Sequence, residues 1–132
     1  MMRTLVATSL ILLLVTVSQA QQRRELEQPT RCDSAASFLD FAVIDTKAAP
    51  NTYLVILARL GKGEPSRLNR IRLVNAEEYV LRRGTDLKYL LATGNRTNGL
   101  GRLELYVAGR LHRVMPFEKN AKGHCLPGRE GW

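Results

Sequence analysis

The segment that most constrains the fold is a nearly continuous apolar run from Tyr53 to Leu60, with the sequence YLVILARL. Turn-forming residues bound it, with Pro50 and Asn51 before it and Gly61 after it. A short apolar run between turn residues predicts a strand that is buried on both faces. Strands of this kind occur where helices cover a sheet, so the run predicts an α/β protein.

A long helix is predicted after this strand, from Pro65 to Arg83. Proline suits the first turn of a helix, and Gly84 is typical of the position just past a helix end. Apolar residues recur at spacings of three and four, as on the buried face of an amphipathic helix. The residues predicted to form that face are Leu68, Leu73, Ala76, Tyr79, Val80 and Leu81.

A shorter helix is predicted to precede the apolar strand, over residues 34–46, with Asp33 or Ser34 as its N-cap. The residues of this helix that we expect to face the core are Phe38, Phe41 and Val43.

Three further strands are predicted in the second half of the chain. Residues 87–92 form a second apolar run, which predicts another buried strand. Residues 102–107 alternate between apolar and polar, and Ala108-Gly109 then leads into residues 110–117. This pattern predicts an antiparallel hairpin with one face toward the core.

The first twenty residues have the pattern of a signal peptide. Arg3 is followed by an apolar stretch from Leu5 to Val17, and the small residue Ala20 marks a cleavage site. The alternative is a membrane anchor, but a spanning helix needs roughly 20 apolar residues. The pattern therefore predicts a periplasmic or secreted protein. The predicted organisation is a signal peptide (1–20), a polar leader (21–34), an α/β domain (35–118) and a C-terminal tail (119–132).

Cys32 and Cys125 lie near opposite ends of the predicted exported chain. In an oxidising compartment such a pair predicts one disulfide, which for a loop of this length would contribute about 4–5 kcal/mol. The alternative is a redox or metal pair with His124, but no Cys-x-x-Cys motif is present. We expect no metal and no cofactor.

Basic residues are in excess, with 20 Lys and Arg against 12 Asp and Glu. Positive groups beside the N–H groups of a helix N-terminus can form an anion site. The alternative is a solvated surface that keeps the protein soluble. Several cations fall around the end of the apolar strand and the start of the long helix, and we take these as candidate ligand-binding residues: Arg59, Lys62, Arg67, Arg70 and Arg72.

The order of the elements and the pattern of the long helix resemble the OmpA-like C-terminal domain, a periplasmic module whose typical members bind peptidoglycan. The matching helix positions are Leu68, Arg72, Leu73, Ala76, Tyr79, Val80 and Gly84. The resemblance implies a two-layer α/β sandwich, with helices packed on one mixed sheet that ends in an antiparallel hairpin. It also implies that Arg72 binds a carboxylate of the peptide stem. A second register places Asn75-Ala76 at this position and loses the arginine.

Typical members carry an acidic Thr-Asp-x-x-Gly motif at the end of the first long strand. The strand here ends Leu57-Ala58-Arg59-Leu60-Gly61, and we expect no acid near this end of the strand. This difference moves the expected ligand from a zwitterionic stem peptide toward an anion.

The function expected from these features is that of a non-enzymatic, monomeric envelope domain. It would bind an anionic cell-wall polymer or an envelope protein. Nucleic acid is not expected, because the aromatic run of single-strand binders is missing. The main alternative is a secreted small protein that acts on a partner protein as an inhibitor or effector. A small hydrolase is a third possibility, but the sequence has no nucleophile in a recognisable catalytic motif.

Overall fold

The computed structural model describes residues 26–84 and 86–123. Their elements, in chain order, are α1 (Cys32–Ala48), β1 (Leu54–Arg59), α2 (Arg67–Arg83), β2 (Tyr89–Thr93), β3 (Arg102–Val107) and β4 (Arg110–Pro116). The strands form one mixed sheet in the order β2-β1-β3-β4, in which β1 and β2 are parallel and the other neighbours antiparallel. Both helices pack on this sheet, which confirms the predicted α/β fold.

Strand β1 is covered by helices on one face only. Leu54, Ile56 and Ala58 have no exposed surface, whereas the residues between them are half-buried. Successive side chains of a strand point to opposite faces, so this alternation marks one face packed against the helices and one open face. The prediction of a strand buried on both faces is therefore wrong, because a continuous apolar run does not reveal how many layers cover it.

Strand β2 lies at one edge of the sheet. Its residues Leu90 and Leu91 are 54% and 36% exposed, whereas Leu87, just before the strand, is buried. The prediction of a strand here is confirmed, but the prediction that it is buried is wrong. An edge strand has a sheet neighbour on one side only, and so keeps more of its surface.

Helix α1 begins at Cys32, inside the predicted leader, and its N-cap residue Arg31 makes no side-chain cap bond. The predicted capping role of Asp33 or Ser34 is therefore wrong. The residues of α1 that are buried are Ala35, Leu39, Ala42, Val43 and Thr46. Phe38 packs against this core and Val43 lies in it, as predicted, but Phe41 is 55% exposed. Phe41 is off the helix face defined by the spacing from Leu39 to Thr46.

Helix α2 matches its prediction closely and ends where Gly84 follows. Five of the six residues predicted for its core face are buried, and Leu81 is 43% exposed. Leu81 follows Val80 directly and so points about 100° away from it around the helix. In addition, Asn69 and Arg72 are buried on this helix.

The predicted hairpin is confirmed. Ala108 and Gly109 have φ angles of 52° and 74°, the left-handed conformation required at both central positions of a type I′ turn. Leu103 and Leu105 are buried against the helices, as predicted. Glu104 is also buried, although the alternation places it on the open face of the sheet.

Some predictions concern parts of the chain outside the described residues. The signal peptide, residues 1–20, lies outside them, and so does Cys125, so the disulfide with Cys32 stays a prediction. The first residues of the predicted tail are described and pack on the domain, since the backbone of Ala121 and Lys122 accepts hydrogen bonds from α2. No helix among the described residues is long and apolar enough to cross a membrane.

Candidate functional site

A buried ion pair joins the loop after β1 to helix α2. The guanidinium of Arg72 donates two parallel hydrogen bonds to the carboxylate of Glu64, from Nη1 to Oε2 at 2.8 Å and from Nη2 to Oε1 at 2.7 Å. The two side chains are 0% and 1% exposed. Arg72 also donates from Nε to the carbonyl of Ala121 at 2.9 Å, and its guanidinium lies 4.8 Å from the centre of the Phe117 ring. This is the bidentate geometry in which arginine binds carboxylates most strongly.

The Glu64 carboxylate also accepts two backbone N–H groups. Gly61 donates to Oε2 at 2.7 Å, and Asn120 donates to Oε1 at 2.9 Å. Burial by itself raises the pKa of Glu64, but the hydrogen bonds from Arg72, Gly61 and Asn120 outweigh it and lower the pKa from 4.5 to about 2. Glu64 is therefore an anion at neutral pH, and each of its oxygens has two donors.

Two glycines allow the loops to close around this pair. A Cβ atom on Gly101 would overlap the Glu64 carboxylate and the Arg72 guanidinium, and one on Gly61 would overlap the backbone of Gly101. The Arg96 guanidinium donates to the carbonyls of Gly61, at 2.6 Å, and Glu64, at 2.8 Å. The β1–α2 loop is thus held by backbone contacts that only glycine permits and by side chains from two other segments.

The expectation that no acid lies near the end of the strand is wrong, because Glu64 in the following loop bonds to Gly61 and to Arg72. The resemblance to OmpA-like domains implied that Arg72 binds a carboxylate of the ligand. In this structure the carboxylate on Arg72 belongs to the chain itself. Arg72 has no exposed surface, so a ligand would first have to displace Glu64.

The five candidate cations do not form one cluster. Arg72 is buried with Glu64, and Arg59 lies on the open face of the sheet, bonded to Glu104. Arg67 and Arg70 are exposed in the first turns of α2, and Lys62 is exposed in the β1–α2 loop. Burial with Glu64 makes Arg72 unavailable to a ligand, and Arg59 is bonded to Glu104, whereas the other three candidates stay exposed.

A cleft lies beside the buried pair, between the β1–α2 loop and the loop before β3. Its volume is about 410 Å³, and residues 61–64, residues 98–101 and Lys119 line it. Lys62 and Lys119 are both exposed, and Lys119 was not among the predicted site residues. The acid in the lining is Glu64, whose charge is compensated by Arg72. The cleft therefore presents glycine-rich backbone and two ammonium groups, a combination suited to an anion.

A second buried carboxylate lies on the open face of the sheet. Glu104 Oε1 accepts hydrogen bonds from Nε of Arg59 and Nε of Arg102, each at 2.8 Å, and Oε2 accepts one from the Tyr106 hydroxyl at 2.7 Å. Burial alone raises the pKa of Glu104, but these three donors outweigh it and the pKa is lowered. The hydrogen bond to Glu104, followed by burial, raises the pKa of Tyr106. Arg59 and Arg102 keep about a quarter of their side-chain surface exposed.

No family model, curated protein or solved structure matches this chain. The likeness to OmpA-like domains therefore rests on the pattern of the long helix and the order of the elements alone.

Proposed function

We propose that this protein is a non-enzymatic domain of the cell envelope, exported by its N-terminal signal, that binds an anionic cell-wall polymer at the cleft between residues 61–64 and 98–101. The observation that carries the proposal is the electrostatic state of this cleft. Lys62 and Lys119 lie exposed at the cleft, while the carboxylate in its lining is buried and neutralised by Arg72. An anion that enters meets attraction from the lysines without repulsion from Glu64.

Further exposed cations follow the lysine-bearing loop in the chain, and they favour a polymer over a small molecule as the ligand. Arg67 and Arg70 are exposed at the start of the helix that follows the lysine-bearing loop. Exposed ammonium and guanidinium groups contribute little one at a time, about 0.2–1 kcal/mol each. A polymer with repeated anionic groups engages several of them at once, so weak contacts add to a useful avidity.

The Glu64–Arg72 pair argues against a stem peptide bound through the helix arginine. Such a ligand would have to replace a carboxylate that already makes four hydrogen bonds. It would also leave the buried Glu64 carboxylate without its arginine, which is strongly unfavourable. The lysines of the cleft require no such exchange.

Co-sedimentation with purified cell-wall sacculi tests this proposal. The test variant is Lys62→Ala/Lys119→Ala, and we expect it to bind about three- to tenfold more weakly than the wild type at low salt. The control variant is Lys88→Ala/Arg110→Ala, which removes the same charge from exposed positions at the opposite end of the sheet.

Equal losses in the two variants would mean non-specific charge attraction and would contradict the proposal. So would the absence of any wild-type binding at low salt. Thermal unfolding of both variants checks that the fold is retained, which is expected because these four side chains are exposed.

A further inference from the structure

The outer edge of β4 is already paired with another segment at one point. The backbone N–H of Thr30, in the segment before α1, donates to the carbonyl of Pro116 at 2.8 Å. Backbone groups of a strand alternate in direction, so Val114, two residues before Pro116, presents its N–H and C=O to the same side. Among the described residues, no segment is paired with this side of β4 between Leu111 and Val114. The backbone pairing between Thr30 and Pro116 therefore does not extend along the rest of the outer edge of β4 among the described residues.

A groove follows the edge at this place. It has a volume of about 810 Å³ and lies between residues 26–31 and the strands β3 and β4. Its lining includes the apolar side chains of Phe38, Leu111 and Val114. Leu111 is 48% exposed and leaves an apolar contact for a partner.

The charge of the groove is positive. Arg31, Arg102 and Arg113 line it, and Glu104 is the one acid among the described lining residues. The Glu104 carboxylate is buried and already accepts three hydrogen bonds, so it contributes little repulsion. Arg31 is 85% exposed and pairs at 3.7 Å with Asp33, which is not among those lining residues. Arg102 and Arg113 bond to the chain through one nitrogen each and keep other donors.

We propose that this edge binds an extended acidic peptide of a partner protein, which adds to the sheet as a strand beside β4. Its backbone would pair with Val114 and continue the line that Thr30 begins. Its acidic side chains would meet Arg31 and Arg113, and alternate apolar side chains would contact Leu111. Main-chain pairing supplies affinity in such complexes, and the side chains supply specificity. The stretch of β4 from Leu111 to Met115 contains neither proline nor lysine, the residues that often block such an edge, so it is suited to this kind of binding.

The probe is a fluorescein-labelled peptide in which glutamate and valine alternate. Its binding to the full chain is measured by fluorescence anisotropy. We expect saturable binding, and we expect Arg31→Ala/Arg113→Ala to weaken it about tenfold. The matched control is Lys47→Ala/Lys88→Ala, which removes two exposed cations that line neither the groove nor the cleft and should leave the affinity unchanged. A peptide in which lysine replaces glutamate should not bind.

Backbone pairing is tested separately with the same glutamate–valine peptide carrying N-methyl groups on alternate residues. The methylated peptide should bind at least tenfold more weakly, because it cannot donate to β4. Equal binding of both peptides, or equal loss of affinity in Arg31→Ala/Arg113→Ala and in the control variant, would overturn the proposal. Binding of anionic phospholipid vesicles through Arg31 and Arg113, without binding of the peptide, would also overturn it and would assign the groove to a lipid surface.

Discussion

Glu64 and Glu104 are both buried carboxylates held by arginine, yet their surroundings differ. Glu64 meets an arginine that is fully buried, and both of its oxygens are saturated by side-chain and backbone donors. Glu104 lies on the open face of the sheet, where Arg59 and Arg102 each keep about a quarter of their surface in solvent.

The difference separates an arginine that has a structural role from arginines that a ligand can reach. The Glu64–Arg72 pair joins a loop to a helix and is buried, so its arginine exposes no donor and supports the cleft without contacting what enters it. The arginines on Glu104 can reach water or a partner while their charge is partly balanced. A basic residue in a suggestive sequence position is thus informative about binding only when its exposure is known.

The largest expected effect comes from removing the charge of Glu64. In Glu64→Gln, an amide NH₂ replaces an oxygen that accepts two donors, and Arg72 becomes an uncompensated buried cation. We expect a loss of about 3–5 kcal/mol in the free energy of unfolding, measured by urea denaturation. A loss below 1 kcal/mol would show that the pair is not the anchor of this loop.

Acid should reproduce much of this effect. The pKa of Glu64 is about 2 in the folded protein and near 4.5 when unfolded, so the folded state binds fewer protons between these values. The stabilisation is complete above about pH 4.5 and is lost as the pH falls to about 2. It amounts to about 3 kcal/mol. Urea unfolding at several pH values should show this decline in the wild type. The difference between wild type and Glu64→Gln should shrink over the same range, and a constant difference would contradict the assignment.

Glu104→Gln should cost less than Glu64→Gln, about 1–2 kcal/mol. The freed ends of Arg59 and Arg102 can turn to solvent, and the Tyr106 hydroxyl can accept a hydrogen bond from the new amide. The same urea titration measures it. A cost equal to that of Glu64→Gln would remove the distinction between the two clusters.

A smaller effect is expected from Phe117→Leu, which keeps apolar cover over Arg72 but removes the aromatic ring 4.8 Å from its guanidinium. The loss should be about 0.5–1 kcal/mol in the free energy of unfolding. No loss would mean that the buried carboxylate alone satisfies the arginine.

Much of the fold could be predicted from the sequence because its signals are local. The spacing in α2, the glycine at its end and the Ala108-Gly109 turn each act over a few residues. Burial was predicted less well. The exposure of Phe41 and Leu90 depends on which faces the other layers cover, and an apolar run carries no information about that.

The site could be predicted only in part. Lys62 lies in the loop that follows β1, so its place near the end of this strand could be expected from the sequence. The pairing of Arg72 with Glu64 could not, because it depends on the β1–α2 loop folding back until Gly61 meets Gly101. Lys119 joins the cleft from the far end of the chain, and no local pattern indicates that.

Binding at the cleft is tested most directly by amide NMR spectra that are recorded while soluble glycan strands released from sacculi are added. We expect chemical-shift changes concentrated in residues 61–63, 98–101 and 119. These changes should disappear in Lys62→Ala/Lys119→Ala, in which the Glu64–Arg72 pair stays intact. Shifts confined to the opposite end of the sheet, around Lys88 and Arg110, would contradict it, as would shifts that persist unchanged in the lysine variant.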